Sequence, residues 1–336
     1  MQEMKIIRME DINTVKVRWL LYPYIPFGKI TIVQGNPGEG KTTMMLAVIA
    51  AISKGEELNC GREALTAPAT DFISGTAQPL TSIYQSAEDG LADTVKPRLE
   101  MLGADCSHVR VIDDTEHPLT MLDERIEAAI RETGASLLVL DPIQGYLGSA
   151  VNMNQSNEIR PVMKKLGQVA ERTGCAVVLI GHMNKCFGSG NAVYRLLGSI
   201  DFTAAARSVI LVGRDREDPE QRYAVQVKSS LAAEAPALGF RFDGGHFLWT
   251  GESGMTADGL LAGDVPCAYD SRPKQNAAYD FIRGYLEEHG GMVPATVLFD
   301  ASDRAGLSRK TVYRMRQNHG TEIFVEKQGT RSVWHL

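Results

Sequence analysis

The sequence predicts an α/β fold built on a mainly parallel sheet, followed by a small separate C-terminal unit. Three observations carry this. The apolar runs Lys29-Ile30-Thr31-Ile32-Val33, Leu137-Leu138-Val139-Leu140, Ala176-Val177-Val178-Leu179-Ile180 and Ser208-Val209-Ile210-Leu211-Val212 lack the alternation of a half-solvated strand. Strands of that kind are covered on both faces, as in parallel sheets. Helix-like stretches separate most of them, the pattern of βαβ units. Between the first run and the helix-like Thr43-Met44-Met45-Leu46-Ala47-Val48 lies Gly35-Asn36-Pro37-Gly38-Glu39-Gly40-Lys41-Thr42, which fits G-x-x-x-x-G-K-[ST]. Strand, glycine-rich loop and helix are the context in which that pattern binds phosphate.

The elements follow in order. Ahead of the loop, Trp19-Leu20-Leu21-Tyr22-Pro23-Tyr24-Ile25-Pro26-Phe27-Gly28 is aromatic and proline-punctuated, and is expected on the edge of the core. Residues 55–79, rich in Gly, Pro, Ala and Thr, read as irregular. A strand at 81–85 ends at Ser86-Ala87-Glu88-Asp89. A helix over 91–102, a short strand at 108–112 and a helix over 119–133 lead to the strand 135–141, closed by Asp141. A polar loop at 144–157, a helix over 158–172, a strand at 176–180 ending in Gly181-His182 and the strand 208–212 complete the parallel series. Residues 223–228, 239–242 and 247–249 read as antiparallel additions, the last two joined by the turn Asp243-Gly244-Gly245. The first domain is assigned to residues 1–250 and an aperiodic linker to 251–275. A second domain, 276–336, reads as helices at 277–288, 294–301 and 308–317 and a hairpin at 322–327 and 332–336.

Composition narrows the function classes. With 336 residues, 44% hydrophobic and 23% charged, the chain is ordinary globular material rather than disordered or low-complexity. Its longest apolar run, at 44–52, falls far short of the roughly 20 residues that cross a bilayer, and Met1-Gln2-Glu3-Met4-Lys5 lacks a signal-peptide pattern. A cytoplasmic protein is expected. Five cysteines (Cys60, Cys106, Cys175, Cys186, Cys267) without a C-x-x-C pair argue against a disulfide framework and a zinc site. The net charge of −6 is uneven: nine Lys/Arg against seven Asp/Glu from residue 273 onward leave residues 1–272 at −8. Contact with a polyanion must therefore be local.

The glycines of the loop let successive backbone N–H groups turn inward on phosphates, at a helix N-terminus that adds partial positive charge. Lys41 is placed at the β- and γ-phosphates of a nucleoside triphosphate and Thr42 on Mg²⁺. Hydrolysis further needs metal placement, a positioned water and positive charge against the γ-phosphate. Asp141, closing an apolar strand, fits the metal-placing acid. Glu88 is a candidate to take a proton from the attacking water, with Asp89 as competitor and an N-cap pair as the plainer reading. His182 at a strand end is either a γ-phosphate sensor or a structural histidine. Arg207, after the small residues of Gly198-Ser199-Ile200-Asp201-Phe202-Thr203-Ala204-Ala205-Ala206, is either an arginine finger for a neighbouring subunit or a surface ion pair.

Taken in order, W-L-x-x-x-x-I-P-x-G-K, G-N-P-G-E-G-K-T-T, S-A-E-D, L-L-V-L-D-P, and G-H-M-N-K followed by G-S-I-D-F-T-A-A-A-R-S resemble the RecA-type P-loop ATPases of the plasmid RepA-like branch. These are hexameric replicative helicases with phage and mobile-element relatives. The resemblance runs from Trp19 to Trp249. It implies a RecA-like core, ATP and Mg²⁺ held by Gly35, Asn36, Pro37, Gly38, Glu39, Gly40, Lys41, Thr42 and Thr43, Glu88 as catalytic base and Asp141 as the Walker B acid. It further implies His182 as sensor, Arg207 as finger in trans, Arg98 near the nucleotide and Lys228 approaching the neighbour's nucleotide. The assembly it implies is a homo-oligomeric ring, hexameric in the family's manner, translocating on single-stranded DNA.

Two loops are candidates to face that DNA. Residues 184–197 supply Lys185, Tyr194 and Arg195, cations for a phosphate backbone and a ring for stacking; residues 144–157 contain no Lys or Arg. The C-terminal piece resembles a winged helix-turn-helix, with Gly306-Leu307-Ser308 as turn and N-cap, a recognition helix at 309–317 carrying Arg309, Lys310, Arg314 and Arg316, and a wing around Gly329. A unit of this size serves equally as a protein-docking module. The acid-free recognition helix favours DNA.

Overall fold

The computed structural model describes residues 6–58, 60–61, 78–148, 151–153, 155–183, 200–243, 246–261, 272–305, 307, 309, 312, 323–328 and 331–335, with backbone alone for 200, 272–278, 327, 328 and 331. In chain order the elements are β1 (Trp19–Leu21), β2 (Ile25–Pro26), β3 (Ile30–Gly35), α1 (Lys41–Ser53), β4 (Ser82–Ser86), α2 (Lys96–Met101), β5 (Val109–Arg110), α3 (Glu124–Thr133), β6 (Leu137–Asp141), α4 (Ser156–Thr173), β7 (Ala176–His182), α5 (Ile200–Ala205), β8 (Ser208–Arg214), β9 (Gln221–Ser229), β10 (Ala237–Asp243), β11 (His246–Ser253), α6 (Ala257–Leu261), α7 (Arg272–Glu288), β12 (Met292–Pro294), α8 (Ala295–Arg304), β13 (Phe324–Gln328) and β14 (Arg331–His335).

Nine strands form one sheet in the order β11-β10-β9-β8-β3-β7-β6-β4-β5. The strands from β5 to β8 run parallel and β9, β10 and β11 add antiparallel. Alternate residues of the central strands enter two cores, as a period of two requires. Ile30, Ile32, Leu138, Leu140, Val177 and Leu179 pack with residues of α3, α4 and α5. Val33, Leu137, Val139, Val178 and Ile180 pack with residues of α1, α2 and the β1–β2 hairpin. The aromatic lead-in lies in that second core, with Trp19, Tyr24, Ile25 and Phe27 all buried.

The chain divides into a larger unit ending at Gly263 and a smaller one from Asp264 to Leu336. Over the first part of the stretch expected as a linker, 251–275, β11 runs on to Ser253 and α6 follows. The register of β10 with β11 shifts between Gly239 and Phe240, and Gly251 at φ 91° lets the strand continue to Ser253 through that bulge. Leu260 and Leu261 of α6 then pack with Met183, Leu211 and Val225. Residues 262–271 lie outside the described residues. The smaller unit has its own core, including Ile282, Leu286, Leu298, Phe299 and Trp334, and a three-stranded antiparallel sheet β12-β14-β13. Strand β12 has no counterpart in the sequence reading.

Other departures are local. The helix predicted over 91–102 is a π-helical turn at Leu91–Val95 followed by α2, and the strand at 108–112 is only β5. The helix predicted from 119 starts at Glu124, where Asp123 accepts a hydrogen bond from the Arg125 N–H. Leu119 and Met121 are buried loop residues, so their spacing imitated a helical stripe.

Glu127 on α3 ties its helix to α4: Arg131 donates at 2.8 Å and Arg172 of α4 at 2.5 Å. Hydrogen bonds from Arg172, then from Arg131, bring its carboxyl down from 4.5 to about 2. A carboxylate with a depressed folded-state pKa stabilises fully above its unfolded value and loses that contribution as pH falls through the folded one. Glu127→Gln is thus expected to lower the denaturation midpoint at pH 7 and to narrow its gap from wild type between pH 4.5 and 2. Equal gaps at pH 7 and pH 2.5 would contradict this.

Candidate nucleotide-binding site

The parallel register gathers the predicted residues at one edge. Gly35, the last residue of β3, is opposite His182 on β7, and Ser86 at the end of β4 is opposite Asp141 on β6. The Ala87 N–H donates to the Asp141 carbonyl at 2.9 Å, which holds Glu88 beside the same edge. This is the C-terminal edge of the parallel strands, where open α/β sheets place their ligands.

From Gly35 the chain turns through Asn36, Pro37, Gly38 and Glu39 to Gly40, with Gly38 at φ 80° and Gly40 at φ 90°. Gly40 precedes α1 and offers no side-chain cap, so the first N–H groups of a 13-residue helix face the loop unclaimed by a cap. The Lys41 ammonium is buried and donates to the carbonyls of Gly35 (3.0 Å) and Asn36 (2.8 Å). Burial pushes its pKa down, and the charges of Asp141, Glu39 and Glu88 push back. A buried cation hydrogen-bonded to neutral carbonyls gains from an incoming polyphosphate.

Thr42 donates to Asp141 Oδ2 at 2.6 Å, and the buried Tyr84 hydroxyl donates to the same oxygen at 3.0 Å. Burial raises the Asp141 pKa while these two hydrogen bonds lower it; burial and the Asp141 charge raise that of Tyr84. A hydroxyl and a carboxylate in contact are hard oxygen donors, the set that suits Mg²⁺ with its remaining waters. Tyr84 is absent from the sequence-derived candidates. Tyr84→Phe removes a hydrogen bond to a charged group, worth roughly 1.5–3 kcal/mol. It is expected to raise the Mg²⁺ concentration for half-maximal nucleotide binding several-fold with little change in metal-free affinity. An unchanged Mg²⁺ dependence would remove Tyr84 from the site.

Glu88 is exposed, and its Oε2 lies 3.9 Å from His182 Nε2. His182 Nδ1 is buried and lacks a hydrogen-bond partner among the described residues. Asp89 points elsewhere: it accepts from Arg98 at 2.8 Å, and its N–H donates to Ser86. The expected N-cap role of Asp89 is not observed, because Gly90 is the cap residue of the following turn. Thr43 is half-buried on the first turn of α1.

On the other flank of the loop stand residues that sequence reasoning missed. Arg214, ending β8, donates to the Gly38 carbonyl at 2.9 Å and lies 3.8 Å from Glu39. Arg222 of β9 stacks over Phe242 of β10, 4.4 Å from the ring centroid, and both approach Gly40 so closely that a Cβ there would meet them at 3.1–3.2 Å. The rule that picked out Asp141, a charged residue closing an apolar strand, would have found Arg214.

Arg207 and Lys228 are not at this edge. The Arg207 N–H donates to the carbonyl of Ile30, the first residue of β3, while the loop begins at its last. Five residues of strand at ~3.3 Å each separate them by about 17 Å, beyond the reach of an arginine side chain. The Lys228 ammonium donates to the carbonyls of Thr203 (2.6 Å), Ala204 (3.1 Å) and Ala206 (2.8 Å). Neither residue touches the nucleotide position of its own chain. Lys185, Tyr194, Arg195, Lys310, Arg314 and Arg316 lie outside the described residues. Arg309 is exposed, stacked on Phe299 and 3.7 Å from Asp303.

Among the described residues no group of His, Cys, Asp and Glu is arranged to hold a metal by itself, and no helix is long and apolar enough to cross a membrane. The sequence profile of the AAA domain family matches residues 7–187, a span that includes Lys41, Glu88, Asp141 and His182 and stops short of Arg207. DNA repair protein RadA of Halalkalibacterium halodurans is 24% identical over 160 residues, 47% of this chain and 28% of that protein. RadA of Bacillus subtilis is 25% identical with the same coverage. The chain thus spans under a third of the length of these curated relatives. A KaiC-like protein from Pyrococcus horikoshii superposes with a TM-score of 0.46 at 18% identity, over 67% of this chain and 90% of that one.

Proposed function

The chain belongs to the AAA domain family and is a P-loop ATPase, and from that premise we propose that it is a RecA-type, Mg²⁺-dependent motor whose hydrolytic site is completed by a neighbouring subunit and whose work is done on DNA. The observation that carries the reading is the division of the predicted set between two edges of one sheet. Lys41, Thr42, Asp141, Glu88 and His182 share the loop edge, whereas Arg207 sits about 17 Å away by strand length and is exposed. A finger so placed would serve another copy in a head-to-tail assembly; a ring of six subunits is what the RepA-like resemblance implies.

Each residue has a role in this scheme. The loop N–H groups, Lys41 and Thr43 hold the phosphates. Thr42 and Asp141 would hold Mg²⁺, whose charge would offset that of the phosphates. Glu88 takes the proton of the attacking water, His182 turns between Glu88 and the γ-phosphate, and Arg207 of the next subunit offsets charge in the transition state. Arg98 orients Asp89 beside the site. Lys185, Tyr194 and Arg195 would track single-stranded DNA inside the ring. The C-terminal unit would act as a winged helix that meets duplex through Arg309, Lys310, Arg314 and Arg316.

ATP hydrolysis measured with and without single-stranded DNA, beside strand displacement on a forked duplex, tests this. Hydrolysis stimulated by DNA together with displacement supports a replicative-helicase-like motor. Hydrolysis indifferent to DNA and without displacement would sink it. A second reading, a DNA-bound regulator or a recombination and repair accessory, is favoured by the likeness to the DNA repair protein RadA. The −8 charge of residues 1–272 points the same way, and this reading predicts DNA stimulation without unwinding.

A further inference from the structure

The short helix α5 and the strand start that follows it are held by unusually many polar contacts for a surface segment. Phe202 anchors the helix in the core. The buried Asp201 carboxylate accepts from Arg160 of α4 at 3.0 and 2.8 Å. At the other end, the Lys228 ammonium spends three hydrogen bonds on Thr203, Ala204 and Ala206. Three donors meet three acceptors, so this ammonium has no N–H left for a phosphate. A cation on the last carbonyls of a helix is also favoured by the helix dipole.

The next residue is Arg207. Its backbone is pinned on both sides, N–H to Ile30 and carbonyl from the Ser230 N–H, each at 2.9 Å, while its side chain stays exposed. Lys228 is paired across the ladder with Val209, two residues on. The two cations are close enough that Arg207, after burial, lowers the Lys228 pKa. The acid on this segment, Asp201, is already bound by Arg160. The charge left facing outward is that of Arg207.

We propose that Lys228 is a positioning residue for Arg207: by fixing the carbonyl end of α5 it sets the backbone from which the Arg207 guanidinium reaches a neighbouring subunit's nucleotide, and it does not touch that nucleotide itself. This departs from the contact that the family resemblance implies for Lys228, and it rests on the shared-site reading above. The Arg160–Asp201 pair ties the same helix to α4, the helix that follows the loop after Asp141.

The test compares Lys228→Met, Lys228→Arg, Arg207→Ala and the double variant Arg207→Ala/Lys228→Met in the full chain. It reads kcat, KM and ATP affinity by calorimetry. A finger is worth ~10³ to 10⁵ in rate, and displacing a reacting group by about 1 Å costs about 10²-fold. Lys228→Met should therefore lower kcat on the order of 10²-fold with KM and ATP affinity nearly unchanged. Lys228→Arg, which keeps donors for the three carbonyls, should recover most of the loss. In the Arg207→Ala background Lys228→Met should lower kcat no further. Mixing with Lys41→Ala subunits, which lack a working loop but carry an intact α5 and Arg207, should restore turnover to Lys228→Met subunits. If the Met variant does not fold, Lys228→Gln carries the same comparison.

A further tenfold loss in the double variant would mean that Lys228 touches the nucleotide and would overturn the proposal. So would an undiminished kcat in Lys228→Met when Arg207→Ala is slow. Undiminished turnover in Arg207→Ala itself is a different result: it removes the shared site, and the proposal with it.

Discussion

Glu88→Gln is expected to cut ATP turnover by about 10² to 10⁴-fold, the usual contribution of a positioned general base, while leaving ATP affinity within a few-fold of wild type. The substitution keeps shape and removes basicity. Its selectivity follows from where the carboxylate stands. Glu88 is exposed at the loop edge, 3.9 Å from His182, and close enough to Lys41 to act on its charge. Its neighbour Asp89, the competing candidate, is bound to Arg98, so Asp89→Asn should cost less than tenfold through misplacement of Arg98. Single-turnover hydrolysis and nucleotide binding on the two variants check this. Equal losses in both, or loss of binding in Glu88→Gln, would show that the carboxylate holds the site together rather than taking the proton.

Glu88, Asp141 and His182 were legible because they are covalently tied to strand ends. Once Ser82–Ser86, Leu137–Asp141 and Ala176–His182 are parallel neighbours, the residues that close them must share an edge, and the motif at Gly35 fixes which edge matters. Tyr84, Arg222 and Phe242 were not legible in the same way. Their place depends on which strands stand side by side, β4 beside β6 and β8 beside β3, and topology of that kind is not written in local periodicity. Tyr84 also sits mid-strand, where an aromatic is ordinarily core. The contacts of Lys228 were hidden for another reason. A long side chain on a late strand looks free to reach outward, and only the position of α5 reveals three carbonyls within its span.

The same limit explains the errors in the fold. Leu119 and Met121 are as apolar as helix residues and are buried, but Asp123 starts α3 after them. At the far edge of the sheet, Gly251 and Gly254 look like chain breakers. The first instead accommodates a bulge, and its backbone packs against Gly61, where an added Cβ would come within 3.0 Å of the Gly61 carbonyl oxygen. A glycine that ends a strand and one that bends it are indistinguishable until the partner strand is known.

Gly35→Ala is expected to be the most damaging glycine-to-alanine change among the described residues, affecting stability and nucleotide binding together. A Cβ at Gly35 would lie 2.1 Å from the Val212 carbonyl oxygen and 3.1 Å from its carbon. Both are backbone atoms of β8, which is paired on one side with β3 and on the other with β9. No side chain can rotate away, so the β3–β8 seam must open at the first residue of the loop. Overpacking of a tight core costs typically 1–3 kcal/mol and occasionally more, and a clash with backbone belongs at or above the upper end. The displaced residue also supplies the carbonyl that holds Lys41 and the acceptor for the Met183 N–H beside His182, so phosphate binding should fail even in molecules that fold. Gly38→Ala is the control, because a Cβ there meets nothing within 4 Å and the residue is left-handed at φ 80°. Its cost is conformational strain alone, about 1–2 kcal/mol. Denaturant unfolding and ATP binding on the pair separate space from conformation: if Gly35→Ala is no less stable than Gly38→Ala and still binds ATP, the close approach of β8 does not constrain the loop.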